Sequence, residues 1–89
     1  MALWSLFVEV GGKRFSSQVR AASPKAAVSS FLRRGTLAHF SESAASFTAK
    51  DIVLFTPMEG LVNMHLCQLG RSGKYVSITL ARTVERPQT

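Results

Sequence analysis

Hydrophobic and polar residues alternate from the start of the chain. Trp4, Leu6, Val8 and Val10 fall on one side of an extended segment, and Leu3, Ser5, Phe7 and Glu9 on the other. This is the period-two pattern of a β-strand with one buried face. Gly11-Gly12 follows, a dipeptide suited to the positive φ angles of a primed two-residue turn. The next run, Lys13 to Ala22, alternates again, with Phe15, Val19 and Ala21 on one face and Arg14, Gln18 and Arg20 on the other. A two-residue turn sets Val10 opposite Lys13, Val8 opposite Phe15, Leu6 opposite Ser17 and Trp4 opposite Val19. The apolar faces coincide in that register, and Glu9 meets Arg14 as an opposite-charge cross-strand pair.

The period then changes. Ser23-Pro24 offers an N-cap acceptor and a residue pre-set for the first helical position. Ala27, Val28, Phe31 and Leu32 make one apolar stripe. Arg33 and Arg34 fall in the last turn, where cations suit the helix C-terminus, and Gly35 closes it. The expected helix runs over about 24–34. Residues 36–50 read as a loop with room for one helical turn, and Thr48-Ala49-Lys50-Asp51 as a variant capping box.

Ile52-Val53-Leu54-Phe55 is short, rich in β-branched residues and stopped by Thr56-Pro57. It reads as a strand apolar on both faces, hence central in the sheet or covered on each side. A final hairpin follows. Val62, Met64 and Leu66 alternate with Asn63, His65 and Cys67, and Val76, Ile78 and Leu80 alternate with Tyr75, Ser77 and Thr79. A three-residue loop, Arg71-Ser72-Gly73, would put glycine at the left-handed position of a bulged turn. It pairs Leu66 with Ile78 and Met64 with Leu80, whereas a four-residue loop would pair Leu66 with Ser77. The expectation is one α+β domain over 1–84 with a fraying tail at 85–89, built as ββα-βββ. Its antiparallel sheet has one main helix packed on one face.

That helix covers the face of Leu6, Val8, Phe15, Val19 and Ile78. The opposite face is expected to carry Leu3, Phe7, Leu69, Tyr75 and either Ile52 or Val53. An uncovered apolar face points to a partner, most simply another copy of the chain, and so to a homodimer.

Composition adds a second possibility. The 89 residues hold 11 Lys and Arg against 5 Asp and Glu, a formal charge of +6, with 46% apolar residues. No acid occurs between Val10 and Ser41 or between Gly60 and Val84. Lys13, Arg20, Lys25, Arg33, Arg34, Arg71 and Lys74 are the candidate contacts to a polyanion, RNA or DNA. Arg14 is discounted by Glu9. The aromatic platforms such binding needs reduce to Phe7 and Tyr75. The single cysteine, Cys67, rules out an internal disulfide and suits a reducing, cytoplasmic setting. The N-terminal apolar run lacks a basic n-region and is interrupted by Glu9, so it does not read as a signal peptide. No run is long enough to span a membrane.

Two short resemblances end in simpler readings. Gly70-Arg71-Ser72-Gly73 looks like the GXXG loop of KH domains, which would imply a clamp on a nucleic-acid backbone. That loop joins two helices, and here both flanks alternate with period two, so a hairpin turn is expected. Phe7-Val8-Glu9-Val10-Gly11-Gly12-Lys13 with Ser23-Pro24-Lys25-Ala26-Ala27 resembles the strand–helix half of a double-stranded RNA-binding domain. In that family the helix opens on a lysine cluster, and here only Lys25 stands in its place.

Enzyme chemistry is thinly supplied. Glu9, Glu42, Asp51, Glu59 and Glu85 are scattered, so no carboxylate pair suggests acid–base work. His65 and Cys67 share a strand face expected to be polar and half-exposed, with His39 as a distant third ligand, a set too sparse for zinc. Same-face neighbours on a strand lie about 7 Å apart, too far for a nucleophile–base hydrogen bond. The expected function is a non-enzymatic interaction module without metal or cofactor, self-associating through the uncovered sheet face. The alternative is a nucleic-acid-binding domain.

Overall fold

A computed structural model describes residues 1–39 and 46–84. The first hairpin forms as the glycines dictate. Gly11 and Gly12 adopt φ of 56° and 78°, both in the region that a primed turn requires. β1 (Ala2–Val10) and β2 (Lys13–Ala21) pair in the expected register, from Val10 with Lys13 to Ala2 with Ala21. The helix α1 (Pro24–Arg33) begins where Ser23 Oγ accepts from the Ala26 N–H at 3.1 Å. It ends at Arg34, ahead of Gly35 with φ 73°. A 3-10 turn at Thr36–His39 tucks Leu37 into the core. A second, Ala49–Asp51, is closed by the expected capping box. The Thr48 N–H donates to Asp51 Oδ2 at 2.8 Å and the Lys50 N–H to Thr48 Oγ1 at 3.3 Å. Part of the expected 36–50 loop, and the tail at 85–89, lie outside the described residues.

Three further strands, β3 (Ile52–Pro57), β4 (Met64–Arg71) and β5 (Lys74–Thr83), complete a five-stranded antiparallel sheet of order β2-β1-β5-β4-β3. The sheet and one main helix form the expected α+β architecture. α1 lies on one face, where Ala27, Val28 and Phe31 pack on Trp4, Leu6, Val8, Val19, Val76, Ile78 and Leu80. Phe31 also meets the Phe15 ring at 6.1 Å, and the Trp4 indole N–H donates to the Ala21 carbonyl at 3.3 Å.

The last hairpin departs from expectation by one residue. Ser72 takes φ 53° and Gly73 φ 79°, so the loop is the two-residue turn Ser72-Gly73 and not the three-residue Arg71-Ser72-Gly73. Arg71 pairs with Lys74, Cys67 with Ile78 and Leu69 with Val76. A shift of one residue exchanges the faces of a strand. Cys67 and Leu69 are therefore buried on the helix side of the sheet, while Met64 and Leu66 turn to the opposite face. β3 is likewise a sheet edge and not a covered strand. A bulge at Val53 lets Ile52 and Phe55, three residues apart, both turn toward the core opposite Leu69 and Cys67, while Val53 and Leu54 stay exposed.

Phe31 has no solvent exposure and joins helix to sheet. Phe31→Ala is expected to lower the unfolding free energy by about 3–5 kcal/mol, the usual effect of emptying a large aromatic site. Urea-denaturation curves of the two chains check this.

Candidate interaction surface

The face turned away from α1 is a mixed surface whose rows follow from the register. In the central row Ser16, Phe7, Thr79, Leu66 and Thr56 stand side by side across the five strands. Toward the hairpin turns comes the row Arg14, Glu9, Ser77, Gln68 and Leu54; toward the other end, Gln18, Ser5, Ala81 and Met64. Phe7 is 51% exposed and Tyr75 71%. Leu3, Met64 and Leu66 are half-buried on the same face. Tyr75 lies across from Gly70, where a Cβ would come within 3.0 Å of two of its ring atoms. Glycine at that point lets the ring lie against the backbone, a pairing that restores cover to a bare strand position.

Polar groups on this face satisfy one another. Arg14 Nε meets Glu9 Oε1 at 2.5 Å. Both side chains are well exposed, so the pair adds little stability, but it cancels charge locally. Gln18 Nε2 donates to Ser5 Oγ at 3.3 Å, and the Ser5 and Thr83 hydroxyls share a 2.5 Å hydrogen bond. At the end of the face where both hairpin turns lie, a shallow groove of about 440 Å³ runs between Glu9, Gly11, Gly12, Arg14, Tyr75 and Ser77.

Three of the four expected self-association residues, Leu3, Phe7 and Tyr75, therefore lie on the open face, Leu3 and Tyr75 toward its opposite ends. The fourth, Leu69, does not. It is fully buried on the helix side of the sheet, because the two-residue turn moves its strand by one position. The same shift puts Leu66 and Met64 on the open face, whereas a three-residue loop would set them on the helix side with Ile78 and Leu80. The available signal was Ser-Gly, a dipeptide compatible with a primed turn.

The candidate polyanion contacts do not form one patch. Lys13 and Lys74 flank the two turns at one end of the sheet. Arg20 stands on the open face toward the other end, registered with Leu3. Lys25 and Arg33 are exposed on α1. Arg34 donates from Nη1 to the Gln18 carbonyl at 2.9 Å. Arg71 has a structural post: it lies 5.3 Å over the Phe47 ring, 3.6 Å from Asp51 Oδ2, and hydrogen-bonds the Ser46 hydroxyl.

His65 and Cys67 do share a face, but it is the helix-covered one and not a half-exposed polar face. The His65 ring sits between Trp4, edge-on at 6.0 Å, and Phe55 at 5.7 Å, and its buried Nδ1 has no hydrogen-bond partner. Among the described residues no three His, Cys, Asp or Glu side chains gather in a way that could hold a metal ion. His39, at the end of the 3-10 turn, is exposed. Among them, too, no helix is long and apolar enough to cross a membrane. The chain matches no family model, no curated protein and no solved structure.

Cys67 carries a consequence for stability. Burial pushes its thiol up to about 11, against a slight downward pull from Lys25. The unfolded chain ionises this thiol near pH 9 while the folded chain holds it neutral. Its contribution to stability is therefore whole below pH 9 and lost as pH rises from about 9 to about 11. Unfolding curves on either side of that window are expected to show the loss in the natural chain. Cys67→Ala is expected to remove that part of it.

Proposed function

We propose that the chain is a non-enzymatic interaction module that self-associates through the open sheet face as a homodimer. The observation that carries this is Phe7. It is half-exposed on a strand flanked on both sides and lies in one row with the half-buried Leu66. Isolated exposed apolar residues are ordinary, but Phe7 shares this face with the exposed Tyr75 and Leu54 and the half-buried Leu3, Met64 and Leu66, a grouping that supports a docking surface.

Size and charge favour a second copy. Five strands about 4.8 Å apart, with β1 contributing nine residues at about 3.3 Å each, give a footprint of roughly 700 Å². A standard interface takes about 800 Å² from each partner. The molecule carries +6 overall, yet the row beside Phe7 is neutralised by the Glu9–Arg14 pair. Two such faces meet without the repulsion that their total charge suggests. About a twofold axis, Glu9 and Arg14 of one copy can exchange partners with those of the other. The scatter of the cations supports this reading over a nucleic-acid partner, which needs phosphate contacts along one track. A cytoplasmic setting is supported by the single, unbridged, buried cysteine.

Sedimentation velocity at tens of micromolar tests the proposal. The natural chain is expected to sediment as a dimer. Phe7→Ser is expected to sediment as a monomer, with unfolding free energy changed by no more than about 0.5 kcal/mol, as for a surface site. A strictly monomeric natural chain overturns the proposal. Nucleic acid carried through purification, conspicuous beside one Trp and one Tyr, would favour the nucleic-acid alternative.

A further inference from the structure

The two edges of the sheet are built differently. β3 is six residues long, its pairing slips at Val53, and it ends on Pro57. Short length, a bulge and a proline are the devices by which proteins blunt an edge. β2 has none of these three, and is guarded against a second copy of itself by charge instead, with Lys13, Arg14 and Arg20 along it. It is nine residues long, pairs with β1 at every position without a break, and contains neither proline nor glycine.

The two-residue turn also fixes which backbone groups of β2 look outward. Val10 and Lys13 close the turn as a hydrogen-bonded pair, and hydrogen-bonded pairs recur at every second position from there. The N–H and C=O groups of Arg14, Ser16, Gln18 and Arg20 therefore point away from β1. The bond from Arg34 to the Gln18 carbonyl runs in that outward direction. It occupies one of the outward acceptors of that edge. The backbone of Arg14 and Ser16 is left as a rung pair beside which no strand lies among the described residues.

Charge selects the occupant. Lys13 opens β2 and Arg34 reaches its edge. The acid on the neighbouring strand, Glu9, is taken by Arg14. A second copy of β2 would set these cations against their own kind, whereas an acidic strand would meet opposite charges. We propose that the outer edge of β2 is a strand-addition site for an extended acidic segment of a partner protein. The segment hydrogen-bonds to the backbone of Arg14 and Ser16 and sets its carboxylates against Lys13 and Arg34. Main-chain bonds of this kind give affinity and the flanking side chains give specificity. The edge lies in the plane of the sheet and Phe7 takes no part in it, so the site stands or falls independently of self-association through the open face.

The test uses the full chain and a heptapeptide of alternating Glu and Val, with amide hydrogen exchange followed by NMR. The peptide is expected to slow exchange of the Arg14 and Ser16 amides, and a Lys–Val heptapeptide is expected not to. Peptides methylated on alternate backbone nitrogens, in the two possible frames, are expected to differ, with one frame binding and the other not. Ser16→Pro removes one outward N–H at an edge position that tolerates proline. It is expected to weaken binding about fivefold, the effect of one hydrogen bond. If that variant folds poorly, the methylated peptides still decide the matter on the natural chain. Equal binding of both frames would mean charge attraction without strand addition and overturns the proposal. So does an absence of protection at Arg14 and Ser16. Protection that rises with protein concentration in the absence of peptide would assign the edge to a second copy, and overturns it too.

Discussion

The alternation of β1 sets both faces of the sheet. It lies between β2 and β5, so each neighbour's residues are sorted to the helix side or the open side by their register against it. Leu6 and Val8 face Leu80 and Ile78 across one seam, and Ser17 and Phe15 across the other. The helix then has one place to go. Its apolar stripe, ending in Phe31, settles on the side that β1 has made hydrophobic. The opposite side keeps Leu3, Phe7 and their polar neighbours in view of solvent because a ten-residue helix covers one face and leaves the other. A slip of β1 by one residue would exchange the two.

Electrostatics follow the same geometry. The net charge of +6 is not spread evenly over the molecule. Arg71 is tied to Asp51, Ser46 and the Phe47 ring on the helix side, Arg34 to a backbone carbonyl at the β2 edge, and Arg14 to Glu9 on the open face. Several of the cations that raise the count thus hold the fold's own parts in place. Lys13 and Lys74, beside the turns, extend past the packed strands into solvent.

The sequence was readable where turn chemistry and alternation agreed. Gly11-Gly12 admits one economical turn, and the register it gives merges the apolar faces and pairs Glu9 with Arg14. Ser23 and Pro24 fixed the start of α1 for equally local reasons. The second hairpin was harder because β4 has apolar residues at both parities: Met64 and Leu66 on one, Cys67 and Leu69 on the other. Alternation could not choose between them, and the choice fell to the turn. There, a serine in the left-handed region shortened the loop to two residues. The candidate surface inherited that error at Leu69, while the open-face positions of Leu3, Phe7 and Tyr75 were legible because β1 and β5 each have one clearly apolar parity. The bulge at Val53 left no mark in a run of four apolar residues, so the edge position of β3 was not legible either.

The seam between β1 and β5 joins strands from nearly opposite ends of the chain, Leu3 with Thr83 and Val10 with Val76. On one side stands a hairpin with its helix, and on the other a three-stranded meander whose own pairs are all close in sequence. Each half can form from local contacts, but the seam must wait for a long loop to close. The sheet is thus assembled from two prefabricated pieces along one line. Nothing in that line requires both pieces to come from the same molecule. Exchange of the meander between two chains would rebuild the same seam with the same side chains, giving an intertwined pair by a route unrelated to either exposed face.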